Sequence, residues 1–166
     1  MAGFSSTMHA LLSHGIVSNA NTEVAILACG NVSQGAYAAI SKYNPDIRLF
    51  YRKTMHELKE RISEFDIIIN GIEMDNDKDH VIDNNEIKCL KSKCLLVDAA
   101  ADAGRSIETT HYTTIDNPLY YKDDVYFYVV NNSPSVFNRE SSNIISKSLS
   151  EHIFQKNIKR FYDLLA

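Results

Sequence analysis

A turn that contains one well-placed glycine is the segment of this chain with the clearest capacity for chemistry. Residues 28–35 read Ala-Cys-Gly-Asn-Val-Ser-Gln-Gly and connect an apolar run to a helical pattern. Dinucleotide-binding proteins carry a G-x-G-x-x-G fingerprint at such a point, because a tight turn lets backbone N–H groups approach a pyrophosphate. Only the central glycine, Gly30, is kept here, with Ala28 and Ser33 at the flanking positions. The turn predicts pyrophosphate contacts from Gly30, Asn31, Val32 and Ser33, although a turn with no ligand would explain this segment alone equally well.

Two cations near the end of the next strand favour a phosphorylated ligand. About 20 residues beyond the glycine turn, a site for NAD carries an acid that binds the adenosine ribose 2′-hydroxyl. This sequence has Tyr51-Arg52-Lys53-Thr54 there, with no acid and with hydroxyls beside the two cations. Such groups can hold a 2′-phosphate. We therefore expect Tyr51, Arg52, Lys53 and Thr54 to contact a cofactor, with NADPH preferred to NADH. A solvated turn with two surface cations is the alternative.

Patterns of buried strands and amphipathic helices alternate along the chain that must position these residues. Gly15 is expected to end a lead-in helix, and two capping boxes are predicted, at Thr54/Glu57 and Asp83/Glu86. A long irregular segment is expected over 99–118. Strands are predicted at 23–29, 47–51, 65–70, 94–98 and 125–130, and helices at 34–43, 54–62, 83–90 and from 141 onward.

This alternation predicts an α/β fold of the Rossmann type, with three layers and a mostly parallel sheet covered by helices on both faces. We expect a single domain over 1–166. Within it, the sequence predicts a lead-in helix over 1–20, a nucleotide-binding core over 21–135 and a closing helix over 136–166.

The bulk composition argues against several other classes of protein. With 166 residues, 45% of them hydrophobic and 23% charged, the chain suits one globular domain. A net charge of −4 gives no broad basic field for nucleic acid or an anionic membrane. The three cysteines and six histidines have no metal-ligand spacing, so no metal site is expected. The N-terminus has neither a basic leader nor a long apolar run, and a cytoplasmic location is therefore expected.

Several separate segments match the landmarks of one family. Residues 97–104, Val-Asp-Ala-Ala-Ala-Asp-Ala-Gly, are similar to a V-D-x-A-x-D-x-G loop. Residues 108–110 match E-T-[ST], residues 117–118 match N-P, and residues 128–134 match Y-x-V-x-N-x-P. Together these segments resemble the cofactor domain of the alanine dehydrogenase and pyridine-nucleotide transhydrogenase family. The glycine turn and residues 51–54 resemble the NADPH-dependent carboxyethylornithine synthase branch of that family.

The resemblance implies roles for five further residues. Asp102 matches the aspartate at the nicotinamide ribose and substrate edge, and is the one candidate catalytic residue. Asn132 matches an asparagine near the nicotinamide, and Asp98 joins the cofactor-binding set. Gly71 and Ile72 fall in the loop after the third strand that touches the cofactor. Without the resemblance, Asp98 and Asp102 would be interpreted as carboxylates that cap a surface loop.

The resemblance also implies a reaction and a partner. The expected parent enzyme condenses pyruvate reductively with the side-chain amine of ornithine or lysine, using NADPH. In the family, a substrate domain precedes the cofactor domain, so that missing domain is the expected partner. If the parent is a homo-oligomer, the closing helix and the strand at 125–130 are candidate contacts. The alternatives are the cofactor domain of an NAD-dependent alanine dehydrogenase, a stand-alone nucleotide-binding or regulatory module without catalysis, and a remnant that binds nothing.

Overall fold

The computed structural model describes residues 1–75 and 79–154, with side chains described as far as His152. The described residues form six strands and five α-helices. The strands are β1 (Glu23–Leu27), β2 (Asp46–Phe50), β3 (Ile67–Asn70), β4 (Leu95–Asp98), β5 (Leu119–Lys122) and β6 (Val125–Tyr128). The helices are α1 (Ala2–His14), α2 (Asn31–Ile40), α3 (Met55–Glu60), α4 (Asn84–Ile87) and α5 (Asn138–Leu149), and short 3₁₀ turns follow α2, α3 and β6.

The six strands form one sheet in the order β2-β1-β3-β4-β6-β5. All neighbouring strands are parallel except β5 and β6, which are antiparallel. The register pairs Leu27 with Asn70 and Asn70 with Asp98, so the carboxyl ends of β1, β3 and β4 are level. The chain leaves β1 to form β2 on one side and returns to form β3 on the other. Parallel α/β sheets bind ligands in the crevice beyond such a reversal of strand order.

Helices cover both faces of the sheet, which confirms the predicted three-layer α/β arrangement. Successive side chains of a strand point to opposite faces, and in β3 Ile67 and Ile69 enter one core while Ile68 enters the other. The first core is completed by residues of α1 and α2, and the second by residues of α3 and α4. The continuous apolar runs in the sequence are therefore strands buried on both faces.

The local predictions had mixed outcomes. Gly15 ends α1 in the left-handed conformation, with φ of 76°, as expected of a helix C-cap. The capping box at Asp83 and Glu86 is present, although α4 already ends at Ile87. The prediction of a capping box at Thr54 was wrong. The Thr54 hydroxyl forms no capping hydrogen bond to α3 and is instead bonded to the Tyr51 backbone.

The antiparallel strand β5 was not predicted, because its segment was assigned to the connection that precedes the last strand. Asp123 and Asp124 join β5 to β6, and both have positive φ, of 52° and 62°. A two-residue connection with this backbone is the type I′ turn that suits the twist of a β-hairpin. A pair of aspartates without a glycine is a weak sequence signal for such a turn.

The chain divides into two compact units, residues 1–133 and residues 134–166. The first contains the whole sheet, and the second contains α5 and a π-helical turn at Ser150–Phe154. The closing helix predicted over 136–166 is observed as far as Phe154, and 155–166 lie outside the described residues. In the part of the chain that is described, no helix combines the length and the apolar character needed to cross a bilayer.

Candidate functional site

In the turn between β1 and α2, the strained backbone is at Ala28, whereas the open space lies beside Gly30. Ala28 occupies the first glycine position of the fingerprint and has a φ of 74°, a left-handed conformation that costs an L-residue about 1–2 kcal/mol. Gly30 has an ordinary φ of −70°, and a Cβ added to it would meet no atom of the described residues within 4 Å. Neither backbone conformation nor packing therefore requires glycine at position 30. The open side of Gly30 suits the close approach of an external group.

The first turn of α2 begins at Gly30 and offers backbone N–H groups. Gln34 N–H donates to the Gly30 carbonyl at 2.9 Å, and the three preceding N–H groups, of Asn31, Val32 and Ser33, have no acceptor inside the helix. These groups form the positive end of the helix dipole, where anions are stabilised. Asn31 is exposed and Val32 is half-buried.

Ser33 contributes to the site through its backbone, because its side chain is used within the fold. The Ser33 hydroxyl is buried and donates to the carbonyl of Leu27 at 2.7 Å. A Cβ added at Gly71 would overlap that hydroxyl. Gly71 therefore makes room for a serine where the fingerprint has its third glycine, and in doing so fixes the end of β3 against α2.

Gly35 is explained by the packing of α1 on α2. A Cβ at Gly35 would lie 3.0 Å from the backbone nitrogen of Phe4, and a Cβ at Gly3 would overlap the carbonyl of Val32. The two helices therefore cross with their backbones nearly in contact. This crossing holds the first turn of α2 in place at the carboxyl edge of the sheet.

The segment after β2 is a turn that presents two cations. Thr54 N–H donates to the Tyr51 carbonyl at 2.8 Å, and the Thr54 hydroxyl accepts from Tyr51 N–H at 2.9 Å. Arg52 and Lys53 are the central residues of this turn, and both are exposed. Neither forms an ion pair within residues 1–75 and 79–154. Thr54 therefore closes the turn, and its hydroxyl is occupied by the backbone instead of standing free for a ligand as expected.

A cavity of about 400 Å³ lies between this turn and the loop after β3. Its walls are mostly apolar and its charged members are basic: Ala28, Arg52, Met55, Lys59, Ile72, Met74, His80 and Val81. This combination, in a cavity of this size, is typical of small-molecule sites. A smaller cavity, of about 230 Å³, shares Ala28 but has no charged residue in its wall, so it offers no cation to a phosphate.

A buried polar network joins the carboxyl ends of β3 and β4. The Asn70 side-chain amide donates to Asp98 at 3.0 Å and to the Ser106 hydroxyl at 2.9 Å. Asp98 also accepts from Asp102 N–H at 3.1 Å, and Asp102 accepts from Met74 N–H at 2.9 Å. Burial raises the pKa of Asp98 to about 6, against the hydrogen bonds from Asn70 and Asp102. The network fixes the loops after β3 and β4 relative to each other.

The predicted site residues fall into two groups along the edge of the sheet. Arg52 and Ile72 line the large cavity beside Ala28, at the ends of β2 and β3. Asp98 and Asp102 lie together at the end of β4. Asn132 is exposed beyond the end of β6 and does not line that cavity. Because β1 and β3 separate β2 from β4, a single ligand contacting both groups must be extended.

Sequence reasoning did not assign Asn70, Lys59 or His80 to the site. Asn70 had a visible signal, since it is the one polar residue that ends the apolar run of β3. Lys59 and His80 are separated from Arg52 by 7 and 28 positions, and only the fold brings them to one cavity. Among the described residues, no cluster of histidine, cysteine and carboxylate side chains is arranged to hold a metal ion.

Comparison with known proteins gives a family match over nearly the whole chain. The family described as alanine dehydrogenase/PNT, C-terminal domain, matches residues 6–164. An N(5)-(carboxyethyl)ornithine synthase from Clostridium botulinum is 52% identical over 166 residues, which are 100% of this chain and 52% of that protein. A protein of the same name from Lactococcus lactis subsp. lactis is 48% identical over 162 residues, 98% of this chain and 52% of that protein.

Solved structures agree on the fold. An L-alanine dehydrogenase superposes with a TM-score of 0.66 at 18% sequence identity, covering 89% of this chain and 52% of the dehydrogenase chain. At that identity the likeness concerns the fold alone. The chain spans about half the length of the curated relatives it matches.

Proposed function

The chain belongs to the alanine dehydrogenase/PNT C-terminal domain family, and from this premise we propose that it binds NADPH in preference to NADH. Its coarser function follows from the family: it is a nicotinamide-dinucleotide-binding domain of an oxidoreductase family. The preference for the phosphorylated cofactor rests on one observation. The turn at Tyr51–Thr54 has no acid, and its Arg52, followed in the chain by Lys53, lines a cavity that also includes Ala28 of the glycine turn.

The residues present suit the cofactor in three places. The open side of Gly30 and the first-turn N–H groups of α2 would hold the pyrophosphate. The apolar walls of the large cavity would hold the adenine, and Arg52, with Lys53 beside it, would bind the 2′-phosphate. The ends of β4 and β6, with Asp102 and Asn132, would then face the nicotinamide half. When bound, the dinucleotide supplies the hydride for reduction.

We further propose that the chain serves in a reductive condensation of pyruvate with the side-chain amine of ornithine or lysine. Support comes from the two synthases that are 52% and 48% identical to it. In such a reaction the amine and the keto acid lose water to form an imine, and a hydride and a proton then reduce it. Because the chain spans about half the length of those synthases, a separate substrate domain is the proposed partner.

The cofactor preference is tested by titrating the chain with NADPH and with NADH, with binding measured by calorimetry. NADPH should bind at least about tenfold more tightly, and Arg52→Ala should weaken NADPH by about 10–100-fold, the value of a lost charge-assisted hydrogen bond. NADH binding should hardly change, and the NADPH preference should shrink at high salt. Lys88→Ala is the matched control, because it removes a positive charge that is also exposed but lies outside the cavity wall.

Equal binding of both cofactors, or an equal loss of both in Arg52→Ala, would refute the assigned role of Arg52. An NADH preference would support the alanine dehydrogenase alternative. For the second part of the proposal, the chain alone should not consume NADPH when pyruvate and ornithine are added. Steady turnover by the 166 residues alone would contradict the need for a separate substrate domain.

A further inference from the structure

One histidine in the wall of the large cavity has a ring nitrogen that forms no hydrogen bond with the described residues. His80 lies in the loop after β3 and lines the cavity together with Arg52 and Lys59. Its Nδ1 is 2.6 Å from the backbone carbonyl oxygen of Arg105. Because a carbonyl oxygen only accepts, Nδ1 must carry the hydrogen. The proton that His80 can gain or lose is therefore on Nε2, which makes no hydrogen bond in the described part of the chain.

The charged groups around His80 come from five parts of the fold, and several of them already have partners. Lys59 of α3 pairs with Glu86 of α4 at 2.6 Å. Asp83 caps α4 by accepting from two backbone N–H groups, and these bonds, with smaller contributions from Lys59 and His80, lower the pKa of Asp83. Arg52, on the turn after β2, makes no ion pair with the described residues.

The remaining described charges belong to the loop after β4 and to the loop of His80 itself, where Glu73 and Asp75 are exposed carboxylates. Asp79 precedes His80 directly in the chain and has an interaction of its own. The Arg105 guanidinium lies 3.9 Å from the Asp102 carboxylate. Arg52 is thus the cavity-lining cation that has no ion-pair partner among the described residues, and an anion that enters the cavity meets its charge.

We propose that His80 is a specificity residue for NADPH, and that its Nε2 takes up a proton from solvent as the 2′-phosphate binds. This inference rests on the proposed function, because it requires the 2′-phosphate to lie in the large cavity. A phosphomonoester carries a charge of about −1.5 to −2 at pH 7. A nearby opposite charge favours protonated imidazole, so the complex holds more protons than the free protein and cofactor together. NADPH therefore binds more tightly as the pH falls through the range in which histidine titrates.

The experiment compares the chain with His80→Gln at about pH 8 and about pH 6, which bracket the titration of histidine. Glutamine cannot gain the proton, but its amide nitrogen stands at about the position of Nε2 and can donate a neutral hydrogen bond to a phosphate. At about pH 8 the two proteins should bind NADPH within about twofold of each other. At about pH 6 the variant should bind NADPH roughly tenfold more weakly, the effect of a one-unit change in the pKa of one group. The ratio of the two dissociation constants for NADH should stay constant.

The 2′-phosphate itself titrates near pH 6, but this affects both proteins equally and cancels in their ratio. Calorimetry in buffers of different ionisation enthalpy should show proton uptake on NADPH binding that is reduced in His80→Gln. His56→Gln is the matched control, because His56 is an exposed histidine of α3 outside the cavity wall. It should behave like the unaltered chain.

Two failures can be told apart. Parallel pH curves for the chain and His80→Gln, with NADPH still preferred at about pH 8, would overturn the role of His80 and leave the cofactor preference standing. Loss of the NADPH preference of the unaltered chain at about pH 8 would overturn the proposed function and the role of His80 with it.

Discussion

The contact between Ser33 and Gly71 makes a quantitative prediction about how the glycine turn is held. A methyl group added at Gly71 would overlap the Ser33 hydroxyl, which donates to the Leu27 carbonyl at 2.7 Å. Gly71→Ala must therefore break this hydrogen bond, at about 1 kcal/mol, and force a shift in a packed site, at about 1–3 kcal/mol. The free energy of unfolding should fall by about 2–4 kcal/mol.

The same substitution should cost less when the hydroxyl has already been removed. In a Ser33→Ala background, the nearest atoms to the new Cβ are the Ser33 backbone nitrogen at 3.1 Å and the Leu27 oxygen at 3.2 Å. These contacts are tight but do not overlap, so Gly71→Ala should cost about 1 kcal/mol there. The double-mutant cycle should give a coupling energy of about 1–3 kcal/mol between positions 33 and 71.

Urea unfolding followed by circular dichroism measures all four proteins of the cycle. Ser33→Ala with Gly35→Ala is the matched control, because the nearest atom to a Cβ at Gly35 belongs to Phe4 and not to Ser33. That pair should be additive within about 0.5 kcal/mol. Additivity of the 33/71 pair within the same margin would refute the claim that Gly71 accommodates Ser33.

Two further predictions concern strain and buried charge. Ala28→Gly should relieve the strain of the left-handed φ of 74° and, after the entropic cost of glycine is subtracted, stabilise the chain by about 0.5–1 kcal/mol. Calorimetry should show a Tm raised by a few degrees. A lowered Tm would contradict the strain at Ala28. Burial raises the pKa of Asp98 to about 6 in the folded chain, so protonation of this carboxyl favours folding. Its stabilising contribution is therefore full below the unfolded pKa of about 3.9 and is lost as the pH rises through about 6. The stability of the unaltered chain relative to Asp98→Asn should therefore increase by up to about 3 kcal/mol between pH 7.5 and pH 4, and a difference independent of pH would show that Asp98 is not buried as described.

The sheet was predictable because its strands are apolar on both faces. The run from Val24 to Leu27 and the run from Ile67 to Ile69 have no polar side that could face solvent, so a buried parallel sheet between helices follows. The hairpin at β5 was not predictable in the same way. Only half of its residues are partly buried, and its turn uses two aspartates with no glycine.

The site was predictable where its residues follow one another in the chain, and not where the fold assembles them. The turns at 28–33 and 51–54 could be located because a strand end precedes each of them. The hydrogen bonds of the Thr54 and Ser33 hydroxyls to backbone atoms could not be predicted. The sequence does not distinguish a hydroxyl that is free for a ligand from one that is bonded to the backbone. The cavity that joins His80 to Arg52 depends on the packing of the loop after β3.

A comparison of the six glycines supports ligand binding at Gly30 more strongly than the fingerprint does. Gly15 and Gly104 have positive φ, an added Cβ at Gly3 or Gly71 would overlap a neighbouring atom, and one at Gly35 would make a tight contact of 3.0 Å. The folded chain itself therefore explains five of the six. Gly30 has an ordinary φ and open space beside it, so the chain gives no reason for a glycine there. The absence of a side chain at Gly30 leaves the first-turn N–H groups of α2 accessible, and this is what an anionic group approaching the helix end requires.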